Sequence, residues 1–351
     1  MKANFVWMFI ALVVVCVGTY FFKTLPWNDH ALPWKDHAPL EMSTQQQTTE
    51  TDAQSVVEPD VSARQAAEDT QPSVEKVLAL RLLCWVLTGT KTSRVYGAAI
   101  MATWGPRCDK LLFMSSEKDE ADLPGRVSLR GVYEGRPQLV AKSRAAWTHV
   151  WERYSKDYDW FLKCDDDAYI IVENLKLMLY PHPQTKPIIM GRKLRDGYIR
   201  YMSGGPGYVM NRPALELLGN AIKTGCMHSD NVHEDQLVSI CLRMMGAELR
   251  EGHDARGVHR VMLLTPELHL NRGMIVRTDY FWTLKRVIGT EHGHLETLEG
   301  PSCCSDLAVA FHYVKPPMQR VLEFLIYRLQ RFGERQRTVV MKNTTSELLE
   351  N

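Results

Sequence analysis

The chain has 351 residues, a formal net charge of +1 and 45% hydrophobic residues. That balance suits a globular protein with a real core and excludes the strong basic field that gathers nucleic acid, so no nucleic-acid partner is expected. Among the eight cysteines there is no CxxC pair, which argues against a zinc ribbon.

The first predicted element is the uncharged run Phe5 to Phe22. As a helix it would span about 27 Å, near the thickness of a thin bilayer core. A cleaved signal peptide and a retained anchor compete for this run. It is long for a signal-peptide core and ends in Tyr20, Phe21 and Phe22 with no small-residue cleavage site, so a single-pass anchor is expected. Residues 1–4 would then be a cytosolic tail and everything after the anchor lumenal. Residues 23–76 are polar, with no apolar period, and read as a disordered stem.

The seven cysteines after the anchor would face an oxidising compartment. Seven is odd, so at least one is unpaired or pairs with another chain. Neighbourhood along the chain suggests Cys84–Cys108 and Cys226–Cys241.

A folded domain is expected over residues 77–333. Leu80 to Thr88 reads as a buried strand, and Lys110 to Ser115 as a second. Gln138 to Tyr158 carries Ala146, Val150, Trp151 and Tyr154 at helical spacing. It feeds a strand, Asp159 to Lys163, that runs into Asp165-Asp166-Asp167. A helix from Val172 to Tyr180 and a strand from Pro187 to Gly191 follow. Glycine-rich Tyr201 to Asn211 precedes a helix that Asn211 and Pro213 start. Further helices are expected from about His233 and over Met318 to Phe332. Strands alternating with helices predict an α/β domain with a mostly parallel sheet and working groups at the strand ends. Residues 334–351 form a polar tail holding the one sequon, Asn343-Thr344-Thr345.

The acidic triplet carries the chemistry. Asp165 and Asp167, two apart at a strand end, would share one side, so both carboxylates can reach one Mg²⁺ or Mn²⁺. A solvated acidic turn is the plain alternative. However, three like charges between Trp-Phe-Leu and Ala-Tyr-Ile call for a compensating cation. Asp166 would point the other way and could hold Lys163 or a ribose hydroxyl. His312, in an apolar run, is either a hydrogen-bonded core residue or a third ligand that would favour Mn²⁺.

Glu234 and Asp235 open a helix, where the dipole alone favours carboxylates. Functionally, Asp235 would be a general base, with Glu234 in support. Gly135, Arg136 and Lys142 fit either a nucleotide-contacting turn or a solvated basic face. Trp282 would stack on a sugar or pack in the core.

The ordered set Cys84-Trp85-Val86-Leu87-Thr88-Gly89, Leu112-Phe113-Met114-Ser115-Ser116, Asp159-Trp160-Phe161-Leu162-Lys163, Tyr201-Met202-Ser203-Gly204-Gly205 and Cys303-Cys304-Ser305-Asp306 closely resembles the core 1 β1,3-galactosyltransferase family, the T-synthases. The resemblance implies a GT-A glycosyltransferase fold in a Golgi-resident type II membrane protein. It implies inverting transfer of galactose from UDP-galactose to the 3-hydroxyl of GalNAcα-Ser/Thr on glycoproteins, with Mn²⁺ as cofactor. Asp165, Asp167 and His312 match the metal ligands. Leu87, Gly135, Arg136, Lys142 and Tyr313 match the nucleotide side, where Asp165 also lies, and Trp282 the acceptor side. Cys164 stands where relatives have a small residue and would be the unpaired thiol. Homodimers occur among such proteins. Two alternatives are a fringe-like β1,3-glycosyltransferase with another donor or acceptor, and a non-catalytic chaperone or binding relative.

Overall fold

The computed structural model describes residues 72–116, 122–229, 232–275 and 299–332. The predicted anchor, Trp282 and the Asn343 sequon lie outside the described residues. Among the described residues no helix is long and apolar enough to cross a membrane.

Regular structure starts just ahead of Val77, with helix α1 (Val74–Leu78), whose Ser73 hydroxyl accepts from the Lys76 amide as an N-cap. Strand β1 (Leu82–Leu87) and helix α2 (Ser93–Met101) follow, then β2 (Lys110–Ser116) and β3 (Arg126–Leu129). Helix α3 (Leu139–Tyr154) leads to β4 (Trp160–Asp165), the two-residue β5 (Tyr169–Ile170) and α4 (Val172–Leu179). Next come β6 (Ile188–Gly191), β7 (Lys193–Asp196), β8 (Ile199–Met202) and β9 (Tyr208–Asn211). Helix α5 (Arg212–Lys223) starts as expected, with Pro213 in its first turn and the Asn211 side chain accepting from Ala214 N. The rest is α6 (Glu234–Met244), β10 (Glu248–Glu251), α7 (Pro266–Leu270), β11 (Ala310–Phe311) and α8 (Pro316–Tyr327). Helix α8 begins earlier than the apolar pattern suggested because Pro316 and Pro317 fit its first turn.

Seven strands form one sheet in the order β10-β6-β9-β4-β1-β2-β3. All neighbours run parallel except β9, which is antiparallel to both β4 and β6. The expected α/β architecture with a mostly parallel sheet is therefore present. Strand β1 shows why its sequence is apolar almost throughout: both of its faces are covered. Leu83 and Trp85 pack with α3, α5 and α6 through Trp147, Leu218 and Val238. Leu82, Cys84 and Val86 pack on the other face with α2, α4 and α8 through Ile100, Leu175 and Leu322.

The pairings Cys84–Cys108 and Cys226–Cys241 form as the neighbourhood suggested. The adjacent Cys303 and Cys304 pair with each other. That leaves Cys164 as the free, buried thiol, and burial pushes its pKa far up, so it is inert as a nucleophile.

Candidate active site

Strand β4 ends at Asp165, and the chain turns at once, with Ala168 N donating to Asp165 O at 3.2 Å. Asp167 thus sits in the turn rather than on the strand. The turn, and not the two-residue pleat, sets it beside Asp165. His312 follows β11, which pairs antiparallel with β5, and Val314 N donates to Asp167 O at 2.7 Å. His312 Nε2 lies 3.1 Å from Asp167 Oδ1 and 4.0 Å from Asp165 Oδ2. One donor atom from each of the three residues falls within 4.8 Å of the others. Two carboxylates and an imidazole are a donor set that suits a divalent cation such as Mn²⁺.

Two features hold His312 in place. Gly205 lies so close that a Cβ there would collide with the ring. Tyr313 has a positive φ of 58° and stacks on the imidazole with ring centroids 3.9 Å apart. A left-handed bulky residue is strained, and here it adjoins the candidate ligand.

Asp166 does point away from its neighbours. It accepts from the hydroxyls of Thr88 at 2.8 Å and Thr92 at 2.5 Å. Burial pushes it up to about 6 against those two bonds. The expectation that it holds Lys163 is corrected. Lys163 and Asp165 are two apart on β4 and share a face, so the buried Lys163 ammonium meets Asp165 Oδ1 at 2.8 Å and Glu234 Oε1 at 2.7 Å. It also donates to Gly204 O at 3.2 Å. Burial works against this charge, but the two carboxylates outweigh it and hold the pKa well above the usual lysine value.

Glu234 is thus fixed on both oxygens, since Ser143 Oγ donates to Oε2 at 2.9 Å. Its neighbour Asp235 is half-buried. Its Oδ2 accepts from Gly204 N at 3.0 Å and its Oδ1 from Gln236 N at 2.9 Å. Burial, then the adjacent Glu234 carboxylate, push Asp235 up to about 7. A carboxylate poised near neutral pH is what a general base needs.

On the other side, Leu87 ends β1, in register with Asp165. Gly135 adopts φ 118° and starts a short 3₁₀ turn, Arg136–Gln138, that leads into α3. Arg136 is exposed. Lys142 is buried, and its ammonium donates to Thr88 O at 2.5 Å and Glu134 at 3.0 Å. Glu134, with Thr90, Ser116 and Tyr133, lines a hollow of about 370 Å³. Lys142 therefore supports one wall of that hollow from inside.

Reasoning from sequence named Lys163 but gave it the wrong partner, and it missed Ser143, Thr88 and Thr92 as parts of the site. One signal was present: a lysine inside the apolar strand Trp160-Phe161-Leu162-Lys163-Cys164 must find a buried counter-charge.

The comparisons with known proteins give the class of the chain. The Fringe-like family model matches residues 86–254, and the chain is a glycosyltransferase. Glycoprotein-N-acetylgalactosamine 3-beta-galactosyltransferase 1 of Xenopus laevis is 34% identical over 273 residues, which are 77% of this chain and 72% of the relative. The chain belongs to the glycoprotein-N-acetylgalactosamine 3-beta-galactosyltransferase family, the family that its motifs resemble. Human chondroitin sulfate synthase 2 is 27% identical over 173 residues, 46% of this chain but 21% of that protein. Among solved structures, the catalytic domain of Drosophila beta1,4galactosyltransferase 7 is 15% identical, with 51% of this chain and 67% of that one covered and a TM-score of 0.32.

Proposed function

We propose that the chain is an inverting galactosyltransferase of GT-A type. It moves galactose from UDP-galactose to the 3-hydroxyl of GalNAcα-Ser/Thr on glycoproteins, from a single-pass anchor in the Golgi membrane. The observation that carries the reading is the convergence of Asp165, Asp167 and His312 just beyond the end of β4, with Lys163 linking Asp165 to Glu234, the neighbour of Asp235 in α6.

The donor set fits Mn²⁺, which Asp165, Asp167 and His312 would hold. Bound there, the cation would neutralise charge on the leaving diphosphate. Asp235 would take the proton from the acceptor hydroxyl, helped by a pKa raised to about 7. Glu234, fixed by Lys163 and Ser143, would keep Asp235 in register instead of acting as a base itself. The hollow beside Thr90, Ser116, Tyr133 and Glu134 would take the nucleoside, with Arg136 and Leu87 at its approach. Trp282 is assigned to the acceptor side.

The test incubates the chain with UDP-sugars, a GalNAc-Ser/Thr glycopeptide and Mn²⁺. UDP-galactose should be consumed in preference to UDP-N-acetylglucosamine, and EDTA should stop turnover. Turnover that persists in EDTA would refute the metal role. A preference for another sugar would move the chain to a different donor.

A further inference from the structure

Gln319 is a polar side chain that the chemistry above leaves unused. It lies in the first turn of α8 and is wholly buried. Its Nε2 donates to Asp166 O at 3.3 Å and to Val314 O at 3.2 Å. A carboxamide carries two N–H donors, so one side chain serves both carbonyls. Among the described residues its Oε1 has no donor. The two carbonyl bonds are therefore what offsets the burial of a polar group here.

Buried amides commonly satisfy backbone carbonyls. What sets this one apart is which carbonyls it holds. Asp166 O belongs to the peptide that leads into Asp167. The carbonyl on the other side, Asp167 O, accepts from Val314 N at 2.7 Å. Val314 is two residues beyond His312. Both carbonyls flanking Asp167 are thus tied to the segment that brings His312, one through Gln319 and one directly. That double tie joins the two segments from which His312 Nε2 and Asp167 Oδ1 approach to 3.1 Å.

The helix that carries Gln319 is itself anchored. Glu323 lies four residues on, on the same buried face of α8. Its carboxylate accepts from Arg107 Nη1 at 3.1 Å and Nη2 at 2.7 Å, and from Tyr169 Oη at 3.1 Å. A bidentate pair of this kind fixes orientation as well as adding energy. Tyr169 is on β5, just after Asp167, and is in register with Phe311 of β11, just before His312. Gln319 is delivered to the metal corner one helical turn from that anchor.

We infer that Gln319 is a positioning residue for the cation site: it sets the spacing between Asp167 and His312 without being a ligand. The assignment rests on the reading of Asp165, Asp167 and His312 as metal ligands. It goes beyond that reading by naming what joins the two segments that supply them. Without the amide, Asp166 O and Val314 O lose their shared donor, and of the double tie only the Val314 N–H bond remains.

The experiment uses the full-length chain in detergent, with Mn²⁺ alone as the probe. Electron paramagnetic resonance of free Mn²⁺ gives binding curves for the parent, Gln319→Met, Tyr327→Phe and Asp167→Ala. Met is close to Gln in size and lacks the donors. Tyr327→Phe loses a 2.6 Å bond from the other end of α8 to Glu173, and so controls for general loosening of the helix. Gln319→Met should bind Mn²⁺ about ten-fold more weakly, the lower end of the scale for groups that orient metal ligands. Tyr327→Phe should match the parent in Mn²⁺ affinity, even where its unfolding midpoint is lower. At saturating Mn²⁺ the kcat of Gln319→Met should return to near that of the parent, since no reacting group is removed. Gln319→Leu replaces the Met variant if that one does not fold, and is held to the same outcomes. Parental affinity in Gln319→Met would overturn the positioning role and leave the metal reading intact, provided that Asp167→Ala has lost its Mn²⁺. Equal weakening in Gln319→Met and Tyr327→Phe would overturn it as well, in favour of a purely structural amide. No Mn²⁺ binding by the parent, or parental affinity in Asp167→Ala, would sink the metal reading and the positioning role with it.

Discussion

The two corners of the site are built in opposite ways. The metal corner gathers Asp165 and Asp167 from a turn after β4 and His312 from a segment some 145 residues on, packed between Gly205 and Tyr313. The base corner is local: Glu234 and Asp235 are adjacent in the first turn of α6. The first is defined by which residues meet and the second by how two neighbours are buried. Of two adjacent carboxylates, one is tied to Lys163 and Ser143 and the other, held among the described residues by backbone amides, is left with a raised pKa. Adjacency in sequence therefore does not mean equality in role. The environment separates the two, as it does in many acid–base pairs.

Asp235→Asn breaks the base corner alone and has the largest expected effect. Transfer should fall by about 10²–10⁴-fold, while calorimetry should show UDP binding retained. As the proposed base, Asp235 has to be deprotonated, so kcat/KM should rise with pH and level off above about 7. The same shift bears on stability. Asp235 moves up from an ordinary value of 3.8 to about 7 in the fold, so its ionisation opposes folding. That penalty is absent below about 4 and complete above about 7. The variant should accordingly unfold at higher denaturant than the parent at pH 8, by about 1–2 kcal/mol, and show no advantage at pH 4. Full transfer by the variant would move the base to another residue.

Lys163→Met disturbs both corners at once. It leaves Glu234 buried without its cation, at a cost of about 3–5 kcal/mol, and frees Asp165 from its anchor. Activity should drop about 10- to 100-fold, the usual scale for groups that orient metal ligands. A second substitution sharpens the comparison. Lys163→Met with Glu234→Gln removes the unpaired charge, so stability should largely return in denaturant titrations. Activity should not return, because the Asp165 carboxylate then has no ammonium to hold it against Gly204 O, even though Asp165 N still donates to Gly205 O at 3.2 Å. If activity came back with stability, Lys163 would be a purely structural cation.

The parts of this arrangement legible beforehand are those set by local pattern. The apolar run into Asp165, the amphipathic face of α3, and the Asn211-Pro213 start of α5 carry their own signals. The acidic triplet stood out because charge between apolar runs needs compensation. Strands of two residues such as β5 and β11 show no period, and the antiparallel course of β9 within a parallel sheet leaves no mark on composition. The partner of Lys163 was equally hidden, since Glu234 lies 71 residues away and meets it only once α6 packs beside β4. Asp167 was placed on the correct side for the wrong reason, by pleat instead of turn. The apolar run around His312 left a core residue and a third ligand both open, and the family resemblance favoured the ligand and added Tyr313; the proposed roles of both depend on a long-range meeting that no local rule describes.

Two adjacent glycines allow the corners to be perturbed one at a time, with smaller effects. A Cβ on Gly205 would collide with the His312 ring, whereas one on Gly204 would meet Glu234 Oε1 at 2.6 Å and Lys163 Nζ at 2.9 Å. Neither glycine requires a left-handed backbone, so alanine acts through these contacts and not through φ. Gly205→Ala should push the imidazole off Asp167 and raise the Mn²⁺ concentration for half-maximal activity about ten-fold, with the pH profile set by Asp235 unchanged. Gly204→Ala should leave the Mn²⁺ requirement alone. It should lower kcat and shift the pH profile, because Lys163, Glu234 and the amide that holds Asp235 are displaced together. Identical changes in Mn²⁺ dependence for both variants would mean that the corners respond as one unit, and the division of roles between them would have to be given up.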